Sequence, residues 1–77
     1  MQVAVGLNFP GKLKDESVIC YISKNFNINV NIIEASFSTS SGWAILRLDG
    51  EKEEVDKVFE YLRSKDITIN KVGEKQI

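Results

Sequence analysis

The fold of this chain is decided by residues 28–48, INVNIIEASFSTSSGWAILRL. Apolar and polar residues alternate at both ends of this stretch, and the hydroxyl-rich segment between them predicts the loop of an antiparallel hairpin. The apolar parity of the first strand shifts between Ile32 and Ile33, which predicts a bulge or a sharp bend. Asn31 needs an explanation, because asparagine is depleted in strands. Its placement between Val30 and Ile32 indicates either an edge-strand position or a polar contact to something that docks there.

The residues before the hairpin predict a strand and a helix. Alternation over residues 3–9 is typical of a strand with one buried face, and Pro10 and Gly11 end it. Apolar residues at helical spacing then predict the first helix, with Asp15 as its N-cap. Cys20, the single cysteine, is interpreted as a small buried side chain of this helix. The chain has no second cysteine to form a disulfide or a metal site with it, and no histidine to assist it.

The residues after the hairpin predict a second helix and a fourth strand. A stripe of apolar residues at helical spacing, with acidic residues near its start and basic residues near its end, indicates an amphipathic helix. Asp66 is predicted to end this helix in the left-handed conformation, which aspartate tolerates. Ile67, Ile69 and Val72 predict a short strand before a polar tail that starts at about residue 73. The helix residues predicted to pack on the sheet are Val18, Ile19, Ile22, Phe26, Val55, Val58, Phe59 and Leu62.

The element order βαββαβ in 77 residues predicts an α+β ferredoxin-like sandwich, with residues 1–77 as a single domain. Its four-stranded antiparallel sheet should have the order 4-1-3-2 and carry both helices on one face. Trp43 and Ile45 should lie on the open face, where an apolar strip would form an association surface. Phe37 is assigned to the same interface. The alternative is that Trp43 only caps the edge of a small core.

Composition excludes several classes of function. A net charge of −1 removes the basis for non-specific nucleic-acid binding, and no apolar run has the roughly 20 residues of a membrane-spanning helix. We therefore expect a cytoplasmic protein without direct membrane insertion. The serines of residues 36–41 are not predicted to be catalytic nucleophiles, because the chain has no histidine to act as their base. The acidic residues at the start of the second helix are explained by their favourable interaction with the helix dipole. No enzyme activity, metal site or cofactor is predicted.

Four short motifs remain, and they are Phe9-Pro10-Gly11, Asn31-Ile32-Ile33, the strand from Gly42 to Leu48-Asp49-Gly50, and Tyr61-Leu62-Arg63. Together they resemble the NIL domain, a family named for its Asn-Ile-Leu motif, and the similarity covers nearly the whole chain. In this chain the motif ends in isoleucine rather than leucine, and residues 34–41 form a shorter connection than in the transporter members of the family.

The resemblance implies an ACT-like regulatory domain of the kind found at the C-terminus of ATPase subunits of bacterial methionine importers, fused to ferredoxin modules, or nearly alone. It implies a homodimer that binds L-methionine or a related sulfur amino acid near its interface, with a transporter ATPase or a ferredoxin module as partner. Asn31 is then the main ligand contact, with Ile32 and Ile33 beside it. Backbone groups near Pro10 and Gly11 would complete the contacts to the amino acid.

Two classes of function stay open on the sequence. The first is a module that senses a small molecule and responds by changing dimer geometry or stability. The second is a dimerisation or interaction module that docks a partner without binding any small molecule, in which Asn31 stabilises the strand and Pro10 and Gly11 form only a turn. A thermal-shift screen against all the amino acids separates the two, because a ligand selective for the native state raises its stability.

Overall fold

The computed structural model describes residues 1–10, 18–38 and 41–75, with side chains given up to residue 70. Gly11 and the expected N-cap Asp15 lie outside the described residues. Six elements are present in these ranges, and they are β1 (Gln2–Phe9), α1 (Val18–Asn25), β2 (Ile28–Phe37), β3 (Gly42–Gly50), α2 (Lys52–Ser64) and β4 (Thr68–Lys75).

The four strands form one antiparallel sheet in the order β2-β3-β1-β4, which confirms the predicted topology and the ferredoxin-like fold. The edge strand β4 is longer than predicted. Residues 73–75, expected to belong to a polar tail, pair with residues 2–4 of β1. Ladder hydrogen bonds use only backbone groups, so polar residues continue the strand for as long as β1 offers a partner. The β1–β4 register shifts between Ala4 and Val5, whose partners are Gly73 and Lys71.

The bend predicted in β2 is a β-bulge. The register of β2 against β3 shifts between Ile32, which pairs with Leu46, and Glu34, which pairs with Ile45. Ile33 is therefore the extra residue, and it has no direct partner across the ladder. The bulge resets the parity of the strand, because paired residues of neighbouring strands point to the same side of a sheet.

The core lies between the sheet and the two helices. The inward residues of β1 and β3 alternate with outward ones, as expected for a sheet covered on one face. Ile19 and Phe26 are only partly buried against this core, and Phe26 follows the last residue of α1. The core residues at most 8% exposed are Val3, Val5, Leu7, Phe9, Val18, Ile22, Ala44, Leu46, Leu48, Val55, Val58, Phe59, Leu62 and Ile67.

Two local expectations on the helices have opposite outcomes. Asp66 has a φ of 62°, so the predicted left-handed residue after α2 is confirmed. The prediction that Cys20 is buried is wrong, because its thiol is exposed. The buried residues of α1 are Val18 and Ile22. Cys20 is two residues from each of them, which is about 200° around a helix, and it therefore faces away from the sheet.

Glu54 connects the start of α2 to the junction between α1 and β2. Its Oε1 accepts a hydrogen bond from the backbone N–H of Asn27 at 2.9 Å, and its Oε2 accepts one from the Lys57 ammonium at 2.7 Å. The hydrogen bond from Lys57, followed by that from Asn27, holds the pKa of Glu54 below its ordinary value. The carboxylate thus contributes stability above the pKa it has in the unfolded chain, about 4.3, and this contribution is lost as pH falls through the lower folded pKa.

We expect the variant Glu54→Gln to melt at a lower temperature than the wild type at neutral pH, because its amide accepts from Asn27 but carries no charge for Lys57. The difference should shrink as the pH falls further below about 4.3 and the wild-type carboxyl becomes protonated. Thermal melts followed by circular dichroism measure both quantities. Glu60→Gln, which removes an exposed carboxylate from the same helix, is the matched control. Equal melting temperatures for the two variants at neutral pH would contradict the assigned role of Glu54.

Candidate functional site

The candidate site begins at β2, which forms one edge of the sheet. Residues 31–38 are all exposed, and among them Ile32 and Ile33 are 58% and 56% exposed. The outer edge of a terminal strand carries backbone N–H and C=O groups that can pair with another strand. Apolar side chains on such an edge favour association, because water is then excluded from around the new backbone hydrogen bonds.

The open face of the sheet brings polar and apolar side chains of β2 and β3 together. Asn31 is paired with Arg47, and the next pair along the ladder on this face is Glu34 with Ile45. These four residues lie on the face opposite the helices, since the alternate residues of β3 are fully buried. Trp43, 38% exposed, follows on the same face. The predicted position of Trp43 and Ile45 on the open face is therefore confirmed.

The neighbouring strand β1 leaves room beside these side chains. Ala4 is the partner of Arg47 on β1, and Gly6 is the partner of Ile45. Both residues are small, so they occupy little space on the open face next to the larger side chains of β3. On the open face, Arg47 and Ile45 therefore each have a small residue of β1 as their direct neighbour across the ladder.

The chemistry of this face suits a small zwitterion. A guanidinium group donates two parallel hydrogen bonds to a carboxylate, a glutamate accepts from an ammonium, and an asparagine amide can do either. In the part of the chain that the structure describes, the side chains of Arg47, Glu34 and Asn31 form no hydrogen bond or ion pair with one another or with their neighbours. Ile45 and Trp43 offer an apolar surface next to them.

Sequence reasoning found Asn31 but gave no role to Arg47 or Glu34. A signal for Arg47 exists, because it alternates with Trp43 and Ile45 and must share their face. Its position opposite Asn31 needs the register of the hairpin, which the bulge at Ile33 makes hard to count from the sequence.

Two of the expected site residues are placed elsewhere. Pro10 follows the residue of β1 that pairs with Gly42, whereas Asn31 lies level with Ala4, roughly 20 Å away along the strand at about 3.3 Å per residue. Phe37 lies on the helix side of the sheet, with its ring over Gly42 and 5.5 Å from the ring of Phe9. Pro10 is thus distant from Asn31 within one chain, and Phe37 does not share a face with Trp43 and Ile45.

Within the described ranges, no helix is long and apolar enough to cross a lipid bilayer. The same ranges hold no group of three or more histidine, cysteine or acidic side chains placed to bind a metal ion.

The sheet order and the two helices on one face define an α+β ferredoxin-like sandwich with an exposed edge strand beside a polar open face. The chain belongs to the NIL domain family, whose sequence model matches residues 3–71. The methionine import ATP-binding protein MetN of Bacillus subtilis (strain 168) is 30% identical over 67 residues, which are 82% of this chain and 20% of that protein. The methionine import ATP-binding protein MetN 2 of Bacillus anthracis is 31% identical over 61 residues, 74% of this chain and 18% of that protein. The chain thus spans about a fifth of the length of these curated relatives.

Solved structures agree on the fold. The C-terminal domain of an ABC transporter ATP-binding protein from Enterococcus faecalis superposes with a TM-score of 0.77, covering 95% of this chain and 86% of that chain at 22% identity. The de novo designed protein Foldit4 superposes with a TM-score of 0.56 at 11% identity, covering 96% of this chain and 97% of that chain. At such low identities these similarities concern the fold alone.

Proposed function

We propose that this domain is a regulatory module that senses L-methionine, or a related sulfur amino acid, at or near a homodimer interface. The observation that carries the proposal is the pairing of Asn31 with Arg47 on the open face of an edge strand. The family suggests methionine as the ligand, because curated relatives of this chain are methionine import ATP-binding proteins. The carboxylate and ammonium groups of methionine can form hydrogen bonds with polar side chains such as this pair. Its thioether side chain can pack against an apolar neighbour.

Each part of the amino acid has a partner in the proposed pose. The carboxylate is bound by the Arg47 guanidinium and by the amide of Asn31, which are on adjacent strands. The ammonium is oriented toward Glu34, in the next pair along the ladder on this face. The thioether lies against Ile45 and toward Trp43. Binding should be weak, at micromolar dissociation constants, because a sensor must release its ligand within the cellular concentration range; such a constant corresponds to about 8 kcal/mol.

Regulation follows from the position of β2. A second copy that pairs with this edge in an antiparallel, two-fold arrangement would place two such sites beside one interface. A ligand that binds one dimer geometry more tightly than another shifts the population toward it. We place the domain on the cytoplasmic side of a transporter, in contact with an ATPase subunit or a ferredoxin-type module, and assign it no catalytic role.

A second candidate function rests on a different observation. Ile32, Ile33 and Phe37 on β2 are 58%, 56% and 57% exposed. An edge strand with this much exposed apolar surface suits a module that dimerises or docks a partner protein and binds no small molecule.

The test of the first candidate is calorimetric titration of the domain with L-methionine. We expect Asn31→Ala to weaken binding by about 10- to 100-fold, because loss of a hydrogen bond to a charged ligand group costs about 1.5 to 3 kcal/mol. Asn29→Ala is the matched control. It removes the same exposed amide from the same face of β2, in the neighbouring pair opposite Asp49, and it should bind like the wild type.

Ligand analogues test the proposed pose. L-methionine methyl ester lacks the carboxylate and should bind the wild type at least tenfold more weakly than L-methionine. Arg47→Ala should lose this discrimination, because it lacks the guanidinium that distinguishes the two compounds. Absence of any heat with millimolar methionine, or equal binding by Asn31→Ala and Asn29→Ala, would exclude the sensor and favour the interaction module.

A further inference from the structure

A second surface with binding chemistry lies between α1 and α2, on the opposite side of the sheet from Asn31. It is an open groove of about 760 Å³, and the side chains used below are those of Tyr21, Tyr61, Lys24 and Lys65. We refer to it as the tyrosine groove. It is independent of the proposed methionine site, because the two lie on different faces of the molecule.

The aromatic rings of the groove are held in place before any partner arrives. Tyr21 and Tyr61 stack with ring centroids 4.5 Å apart and planes 14° from parallel, and this stack bridges the two helices. Phe26 packs against both rings, with centroids at 6.3 Å and 6.0 Å. Tyr21 nevertheless remains 45% exposed. A large, fixed and half-exposed aromatic surface binds a partner at little cost in side-chain entropy.

The charged residues that the structure describes in the groove are both lysines. Lys24 and Lys65 line it, and the Lys65 ammonium lies 6.0 Å from the centroid of the Tyr61 ring. Among the described residues that line the groove, none is acidic. The whole chain has 11 acidic and 10 basic residues, so the described part of this lining is more basic than the chain as a whole. A surface of this kind attracts an anionic partner and disfavours a basic one.

We propose that the tyrosine groove docks an acidic segment of a partner protein, with an apolar side chain of the segment against the tyrosines and its carboxylates at the two lysines. The open shape suits a peptide segment, because a peptide can lie across the groove and extend beyond it at both ends. Tyrosine is enriched in the centres of protein interfaces, and lysines at the rim guide association by their charge.

The test uses the 77-residue chain labelled with ¹⁵N and a synthetic peptide, Asp-Glu-Leu-Glu-Asp-Leu-Glu-Glu. We expect chemical-shift changes of backbone amides confined to α1 and to residues 61–65, and an affinity that falls as salt rises. The same peptide with lysine at every acidic position should produce no shifts.

Variants locate the interaction. Lys24→Glu combined with Lys65→Glu, and separately Tyr21→Ala, should each weaken peptide binding by about tenfold or more. Lys52→Glu, which reverses an exposed charge on α2 away from the groove, should bind within about twofold of the wild type. Circular dichroism verifies that each variant is folded, and the charge variants keep the test decisive if Tyr21→Ala unfolds.

Three results would overturn the proposal. The first is the absence of shifts at millimolar peptide, and the second is shifts that map to β2 and β3 instead of the groove. The third is an equal response of the groove to ATP or to a higher concentration of the chain itself, which would assign the groove to a nucleotide or to a second copy. Methionine binding is unaffected by any of these outcomes, so the two proposals fail separately.

Discussion

The variant Val58→Asp is expected to be unfolded at room temperature. Val58 lies in the centre of α2 with no exposed surface, among the core residues that face the sheet. An unpaired carboxylate there costs several kcal/mol, whereas a domain of this size has a total stability of roughly 5 kcal/mol. The measurement is the far-ultraviolet circular dichroism spectrum, supported by the dispersion of amide signals in a ¹⁵N spectrum.

Val58→Ala is the control for this experiment. It removes two methyl groups without adding charge and should cost about 2 kcal/mol, which leaves the domain folded with a lower melting temperature. A folded Val58→Asp variant would mean that the buried face of α2 is assigned incorrectly. The pair therefore separates the effect of a buried charge from that of a small cavity.

The variant Ile32→Lys is expected to convert the proposed dimer into a monomer. Ile32 is 58% exposed on the edge strand, so lysine is tolerated in the free chain. Lysine on an edge strand opposes pairing with another strand, because the charge must lose water when the two edges meet. We expect the dimer dissociation constant to rise by about 100-fold or more, at a cost of about 2.7 kcal/mol. Sedimentation equilibrium over micromolar to millimolar concentrations measures it.

Ser23→Lys provides the control, because it adds the same charge at an exposed position of α1. A wild type that is monomeric at every concentration would remove both the dimer and an interface-linked ligand site. Dimerisation that persists in Ile32→Lys would instead place the contact on the open face, at Trp43 and Ile45. If the methionine site lies beside the β2 edge, Ile32→Lys should also weaken methionine binding.

The candidate site contains one residue that the sequence singles out and several contacts that the sequence does not predict. Asn31 stands out in the sequence because a polar amide in an apolar strand is unusual. Its partner Arg47 is 16 positions later, and only the ladder across the hairpin shows that the two are opposite each other. The bulge at Ile33 then decides that Glu34 joins them on the open face and that Phe37 lies on the helix side. One inserted residue reverses the face of every side chain after it.

The exposed face of the helices shows the same limit. The buried stripe of α2 follows from its periodicity, because residues three and four apart share a face. The stack of Tyr21 on Tyr61 and the hydrogen bond from Asn27 to Glu54 join segments that are far apart in the sequence. Neither contact has a local pattern that predicts it. The small, apolar character of Cys20 suits burial, but its angular position on α1 directs it to water, and residue type alone therefore gives the wrong prediction.

The sequence by itself determined the order of the elements, the order of the strands, the bulge in β2 and the left-handed Asp66. These features depend on local periodicity, on turn residues and on the handedness of short connections, and all three can be read from neighbouring residues. Only the tertiary structure decided which polar groups meet on the open face and which aromatic rings meet between the helices. Those contacts depend on strand register and helix packing, in which a shift of one residue moves a side chain to another surface.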